Sequence, residues 1–253
     1  MRRLIVSLLM IFSFSVTGAT DVVRINDNDW PPYFFKGEVG APKGFGKEML
    51  ERCVPETGYR HQFSHLPIKR MWSDIQSGEL DINIFSYRPG RDALLHYGKV
   101  PIYTASYRPV VRSSSSITIN SLEDFNALKL GHLAGLKYSP EFLSYVEDGV
   151  DSERVHIANS NQSILRMLLA GRIDIYVNTS DTVLWNAKKL GVQKYIRVLD
   201  YDIQRGEYFV TLSRQSTRVD DKEAFLAIVD ACLLRLKASG EYAEILNRYV
   251  LQP

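Results

Sequence analysis

Short apolar runs alternate along this chain with segments in which apolar residues recur every three or four positions, and the alternation persists through most of its 253 residues. The runs Val22 to Ile25, Asp81 to Phe85, Val110 to Arg112, Lys129 to Leu133, Ile173 to Val177 and Tyr208 to Leu212 read as strands with buried faces. The helical period appears in Lys47 to Cys53, Arg70 to Gln76, Pro140 to Glu147, Ser160 to Ala170, Asp181 to Leu190 and Asp220 to Lys237. Strands and helices taking turns in this way predict an α/β fold with mixed, mostly parallel sheets.

One junction occurs twice. Ser77 to Phe85 (SGELDINIF) and Ala170 to Asn178 (AGRIDIYVN) share the order small residue, glycine, charge, Leu or Ile, Asp, Ile. Each reads as a helix ending on a left-handed glycine and passing straight into a buried strand. The copies lie 93 residues apart, the size of a small α/β lobe, so the chain reads as two similar lobes. Pro109 and the serine run Ser113 to Ser116 interrupt the pattern between them, and enough chain follows Gly206 to return to the first lobe. The predicted division is 20–107 for the first part of lobe I, 108–206 for lobe II and 207–253 for the return, with C-terminal helices.

Residues 1–19 differ from the rest. Arg2 and Arg3 precede the apolar run Leu4 to Val16, and the small residues Thr17, Gly18 and Ala19 follow it. That order predicts a cleavable secretory signal, cut after Ala19, and a periplasmic mature protein. The apolar run falls short of the roughly 20 residues that span a bilayer, and no cysteine follows it to carry a lipid.

The 31 basic and 29 acidic residues differ by two. Arg2 and Arg3 account for that difference, so the exported chain carries no net formal charge. A balanced surface argues against a nucleic-acid partner. Apolar side chains at 45% and charged ones at 24% describe an ordinary globular protein with a sizeable core. Cys53 and Cys232 sit on the apolar faces of predicted helices in an exported chain, where buried thiols and a disulfide are both open readings. No Cys/His cluster has metal-ligand spacing. The five histidines form no Ser-His-Asp pattern, and neither a nucleophile elbow nor a phosphate-binding glycine loop is present. The expectation is therefore no cofactor, no metal and no enzymatic activity.

The motifs WPPYFF (Trp30 to Phe35), GFGKEML (Gly44 to Leu50), SGELDINIF, RPGRDALLHYGKVPIY (Arg88 to Tyr103), SLEDFNALKLGHLAG (Ser121 to Gly135), AGRIDIYVN and SGEYAEILNRYV (Ser239 to Val250) occur in this order. The set resembles the periplasmic solute-binding proteins that serve ABC-type importers of polar amino acids, the bacterial extracellular solute-binding proteins of family 3. The resemblance covers Asp21 to Val250. It implies a type II periplasmic-binding-protein fold, two Rossmann-like lobes joined by two crossing segments, with a ligand held between them. By analogy the crossings fall near Ala105 to Val110 and Ile203 to Tyr208. The implied partners are a small amino acid or related carboxylate and a membrane permease, for a monomeric protein.

The resemblance matches Arg91 to the family arginine that grips the ligand's α-carboxylate, with Ser86 as the neighbouring hydroxyl contact. A guanidinium fork makes two parallel charge-assisted hydrogen bonds to a carboxylate, which a lysine point charge does not reproduce. Loops leaving the carboxyl ends of parallel strands line the crevice of an open α/β sheet, where this turn falls. The turn is about two residues shorter than in relatives, so Arg88 and Arg91 are exchangeable in role. Trp30 falls where relatives place a stacking aromatic, and Pro31 and Pro32 hold Tyr33 in an extended loop. Arg70 opens a predicted helix, where a cation calls for a nearby anion or a surface ion pair.

In lobe II the family's Gly-Thr-Thr loop is replaced by Gly135 to Tyr138, in which Lys137 adds a positive charge beside a helix amino terminus and Tyr138 replaces a hydroxyl contact. The acid that meets a ligand's α-ammonium would fall on Thr179. Asp181 stands two residues later and reads either as its substitute or as a helix N-cap. A sensory protein docking to a receptor, and a dehydratase-like enzyme on the same fold, are the competing functions.

Overall fold

A computed structural model describes residues 22–27, 30–35, 43–136, 138–151 and 153–250. The expected signal, residues 1–19, and Lys137 lie outside the described residues. In chain order the elements are β1 (Val22–Asn26), α1 (Phe45–Cys53), β2 (Arg60–Ser64), α2 (Ile68–Ser77), β3 (Ile82–Ser86), β4 (Leu95–Arg112), β5 (Leu130–Leu133) and α3 (Pro140–Asp151). They continue with β6 (Val155–Ala158), α4 (Asn161–Leu169), β7 (Ile175–Thr179), α5 (Ser180–Lys189), β8 (Ile196–Val198), β9 (Gln204–Ser213), α6 (Lys222–Ala238) and α7 (Glu241–Val250).

The strands form one mixed sheet in the order β2-β1-β3-β9-β4-β7-β5-β6, with β8 also paired to β4. The outer pairs, β1 with β2 and β3, and β5 with β6 and β7, are parallel. Every pair made by β4 or β9 is antiparallel. The α/β class holds, and the antiparallel character comes from these two segments.

The repeated junction has one physical explanation in both copies. Gly78 and Gly171 take positive φ, 76° and 71°, where a β-carbon is disfavoured. At Gly78 a β-carbon would also meet the Gln215 carbonyl oxygen at 2.1 Å. The aspartate that follows each glycine then accepts a backbone N–H from the neighbouring strand segment. Asp81 Oδ2 accepts from Arg24 N at 2.7 Å, and Asp174 Oδ2 accepts from Lys129 N at 2.9 Å. Both carboxylates take up an N–H just where two parallel strands start side by side.

Each half of the sheet is covered on both faces. On one side Val23, Ile25, Ile82, Val210 and Leu212 pack under α1, α6 and α7, while Met71, Ile75, Leu80 and Leu95 close the opposite face. On the other side Phe125, Leu130, Phe142 and Ile175 form one cluster, and Ile164, Leu168, Tyr176 and Val183 form another. β2, β6, β8 and the first part of β4 are additions to the sequence reading. β4 carries Pro101, a residue that argues against a strand interior, and the structure places it at a register irregularity between Tyr97 and Tyr103.

Cys53, the last residue of α1, and Cys232, within α6, are both fully buried and joined as a disulfide across 179 residues of sequence. The bridge ties the first stretch of the chain to its returning helix. Closing so long a loop removes much of the unfolded chain's freedom, so the C53S/C232S protein is expected to lose about 2–5 kcal/mol of stability. Denaturant unfolding of oxidised wild type and the double variant measures it.

Candidate functional site

β3 ends at Ser86, paired with Tyr208, and the next residues of β9 have no strand partner on that side. A groove of about 560 Å³ opens there between Ser86, Tyr87 and Arg88 on one wall and Gln204 to Glu207 with Phe209 on the other. Pro89 and Gly90, the latter at φ 84°, reverse the chain after Arg88, and Arg91 N donates to the Arg88 carbonyl at 3.2 Å.

Arg91 is half-buried. Its guanidinium lies 4.9 Å from the centre of the Phe85 ring and 5.4 Å from that of Trp72. Those two rings are themselves stacked, 4.9 Å apart and 10° from parallel. Nη1 donates to the Ser86 carbonyl at 3.2 Å, and no carboxylate pairs with the side chain among the described residues. Burial, and then the charge of Arg88, push the Arg91 pKa down. Arg88 is exposed in the groove wall, and its side chain makes no ion pair among the described residues. Its field reaches Tyr107 and Tyr208 and favours their ionised forms, against the larger effect of burial. The two cations stand close enough for the charge of one to disfavour the charged form of the other.

A cluster of aromatic rings adjoins Tyr208, behind the residues that line the groove. Trp30 N donates to the Phe34 carbonyl at 2.9 Å, and Phe34 N donates back to Trp30 O at 3.0 Å, which closes a small loop after β1. From it Trp30 meets Tyr33, Tyr103 and Tyr208 edge-on at 5.0, 5.8 and 4.9 Å. Tyr33 stacks on Tyr103 at 4.0 Å and is fully buried. The Tyr103 hydroxyl is buried with no hydrogen-bond partner among the described residues. Burial raises the pKa of Tyr33, Tyr103 and Tyr208.

The N-cap reading of Asp181 is corrected. Thr179 is the N-cap of α5, and Asp181 sits in the first helical turn. Its Oδ2 accepts from the Tyr33 hydroxyl at 2.5 Å. Burial raises the Asp181 pKa, and the Tyr33 hydrogen bond offsets part of that rise. Next to it, Thr182 Oγ1 donates to the Pro31 carbonyl at 2.7 Å.

The remaining candidates lie elsewhere. Arg70 pairs with Asp74 one helical turn away at 2.7 Å, on the exposed face of α2, so the anion its position calls for is supplied within the helix. Tyr138 is turned into a core cluster, where its hydroxyl donates to the Val177 carbonyl at 3.2 Å. The structure thus brings together Ser86, Arg88 and Arg91, and separately Trp30, Tyr33 and Asp181, with Tyr208 in contact with both groups. Tyr103, Tyr107 and Tyr208 escaped the sequence reading; their signal is the tyrosine content of the two expected crossing segments. Thr182 gave no signal.

Bacterial extracellular solute-binding proteins, family 3, match residues 22–252. Among solved structures, substrate-binding domain 2 of Lactococcus lactis GlnP, in an open conformation, superposes with a TM-score of 0.71 at 18% identity, over 94% of this chain and 98% of that one. The L-cystine solute receptor of Neisseria gonorrhoeae, unliganded and open, gives 0.68 at 15% identity, over 92% and 93%. A histidine kinase sensor domain with similarity to periplasmic binding proteins gives 0.64 at 20%, over 92% and 98%. At these identities the likeness establishes the fold. Curated proteins yield no match.

The raised Asp181 pKa has a measurable sign. A carboxyl that titrates higher when folded holds its proton more tightly in the folded state, so its contribution is greatest below the unfolded value of about 3.9. It is lost as pH rises through the folded pKa. Wild type should therefore lose stability relative to D181N, which carries no titrating group there, as pH climbs out of that window. Parallel unfolding curves of the two proteins from pH 3 to pH 8 check it.

Proposed function

The chain belongs to the bacterial extracellular solute-binding proteins, family 3, and from that membership we propose that it captures a small carboxylate-bearing solute, an amino acid or a related acid. The observation that carries the reading is the half-buried Arg91, held by two rings, beside the unpaired Arg88 at the groove. Stacking fixes the guanidinium plane in advance, so little side-chain freedom is lost when a carboxylate docks. Trp30 and Tyr208 supply faces for the apolar part of the solute. One structural neighbour is a receptor for L-cystine, which supports the amino-acid class.

In this proposal residues 20–107 and 207–253 form lobe I and 108–206 form lobe II. β4 and β9 are the hinge on which the lobes close. The signal is removed after Ala19 and the mature protein works in the periplasm as a monomer, delivering its solute to the permease of an ABC-type importer. It carries out no chemistry of its own.

The histidine kinase sensor domain among the neighbours favours a second reading, solute sensing, with the same binding chemistry and a receptor in place of the permease. Permease and ATPase genes beside this one would favour import.

A thermal-shift screen against amino acids, dicarboxylates and small peptides identifies the solute. A ligand at 100 times its dissociation constant adds about 2.7 kcal/mol of stability. With that solute, calorimetry on R91A should show a loss of roughly 2–5 kcal/mol, about 30-fold to several thousandfold in affinity. R88A should lose about 1 kcal/mol, because its charge is exposed. The reverse order would move the carboxylate grip to Arg88, and normal binding by both variants would remove the proposed site.

A further inference from the structure

Helix α5 serves two masters. Val183 and Ala187 anchor it in the second half of the molecule, within the cluster that also holds Ile164 and Leu168. Other contacts of the helix reach across to the first half, three of them to the short segment that follows Trp30. Asp181 Oδ2 accepts from Tyr33, and Thr182 Oγ1 donates to the Pro31 carbonyl. Leu184 packs against the main core of the first half, and the Trp185 ring lies 5.4 Å from that of Phe35. The contacts of Asp181, Thr182 and Trp185 fall outside the crossing strands β4 and β9, and none of them uses a residue of the groove wall.

The hydrogen bonds form a directed series. Thr179 Oγ1, at the end of β7, donates to Thr182 Oγ1 at 2.7 Å, and Thr182 Oγ1 in turn donates to the Pro31 carbonyl. The far half is thereby bonded to the backbone next to Trp30. Tyr33 has no freedom to release Asp181, since the ring is fully buried and stacked on Tyr103. A buried hydroxyl deprived of its acceptor is destabilising, so the pair is maintained.

We propose that these contacts are a clasp that stays shut in the ligand-free protein. In it Asp181 is a positioning residue: it holds the Trp30–Phe35 segment, and with it the aromatic cluster behind the groove, against the second half. It does not serve as the acceptor for a solute's ammonium group. The clasp itself is independent of the proposed function; only the statement about the ammonium group rests on it.

The test has two arms. Amide hydrogen exchange of the ligand-free protein is followed in wild type, Y33F, D181A, Y33F/D181A and D181N. Loss of one buried hydrogen bond should speed exchange at Tyr33, Phe34 and Phe35 about tenfold in Y33F and in D181A. The double variant should be no faster than the faster single, since both remove the same bond. D181N keeps a carbonyl acceptor for Tyr33 and should stay near wild type. Unchanged exchange in Y33F and D181A, or additive effects in the double variant, would overturn the clasp; Y33F and D181N keep the test open if D181A does not fold.

In the second arm, calorimetry compares glutamate with glutarate and phenylalanine with 3-phenylpropionate, pairs that differ only in the ammonium group. D181N should change the affinity for both members of a pair by a similar factor, within about threefold, because it leaves the clasp intact. A loss of about tenfold or more confined to the amino acid would make Asp181 an ammonium acceptor and overturn the assignment. If none of the four acids binds wild type, the failure falls on the solute-binding reading and takes the ammonium statement with it, while the exchange arm still judges the clasp.

Discussion

The antiparallel pairing of β4 with β9 is the constraint on which the rest of this molecule depends. It runs from Leu95 opposite Ser213 to Tyr107 opposite Gln204, and these two strands carry the sheet from one helix-covered half into the other. Backbone hydrogen bonds in the ladder hold the two strands in register, so their side chains form a floor of defined geometry between the halves. Tyr103, Tyr107 and Tyr208 stand on that floor because strand residues two apart share a face. The bulges around Pro101 adjust the register just before this stretch begins.

Everything polar at the centre is arranged around that floor under partial desolvation. Arg91 gives up part of its hydration for two ring faces and one carbonyl, and Arg88 beside it raises the local positive potential. Among the acids nearby, Asp181 is committed to Tyr33, Asp202 to Arg108 at 2.6 Å, and Asp27 to the buried Lys47 at 2.5 Å. Asp92 follows Arg91 directly, and Glu207 stands exposed at the groove with its field directed on Lys237. Arg88 and Arg91 therefore share the turn after β3 with one acid, which balances their charge only in part.

The parts of this arrangement that were legible in the sequence are those with a local cause. The helix–glycine–strand junctions could be read twice because a left-handed glycine and a strand-start aspartate each leave a residue-type signature, and the structure gives both aspartates the same backbone N–H to hold. The arginine turn was legible as a motif. The disulfide was left open, since helical faces alone do not say whether the two cysteines meet; the packing of α1 on α6 decides it. Asp181 was left open between a ligand acid and a cap because its partner, Tyr33, lies 148 residues away. Tyr138 was read as a ligand contact for the same kind of reason, its acceptor being a carbonyl on β7. Contacts between distant strands have no sequence period, and the aromatic cluster is built entirely from them.

The central claim is that a carboxylate is held at the arginine turn, over the tyrosine floor, between the two halves. The most direct measurement is a solution NMR titration of the ¹⁵N-labelled exported protein with a bound acid. The account predicts that the largest shift changes fall on the Trp30 indole N–H, the Ser86 to Arg91 turn and residues 204–208 of β9. Smaller changes should follow on both sides of the β4–β9 ladder. Saturable shifts concentrated on the outer helices, with the arginine turn and the Trp30 indole unmoved, would contradict it.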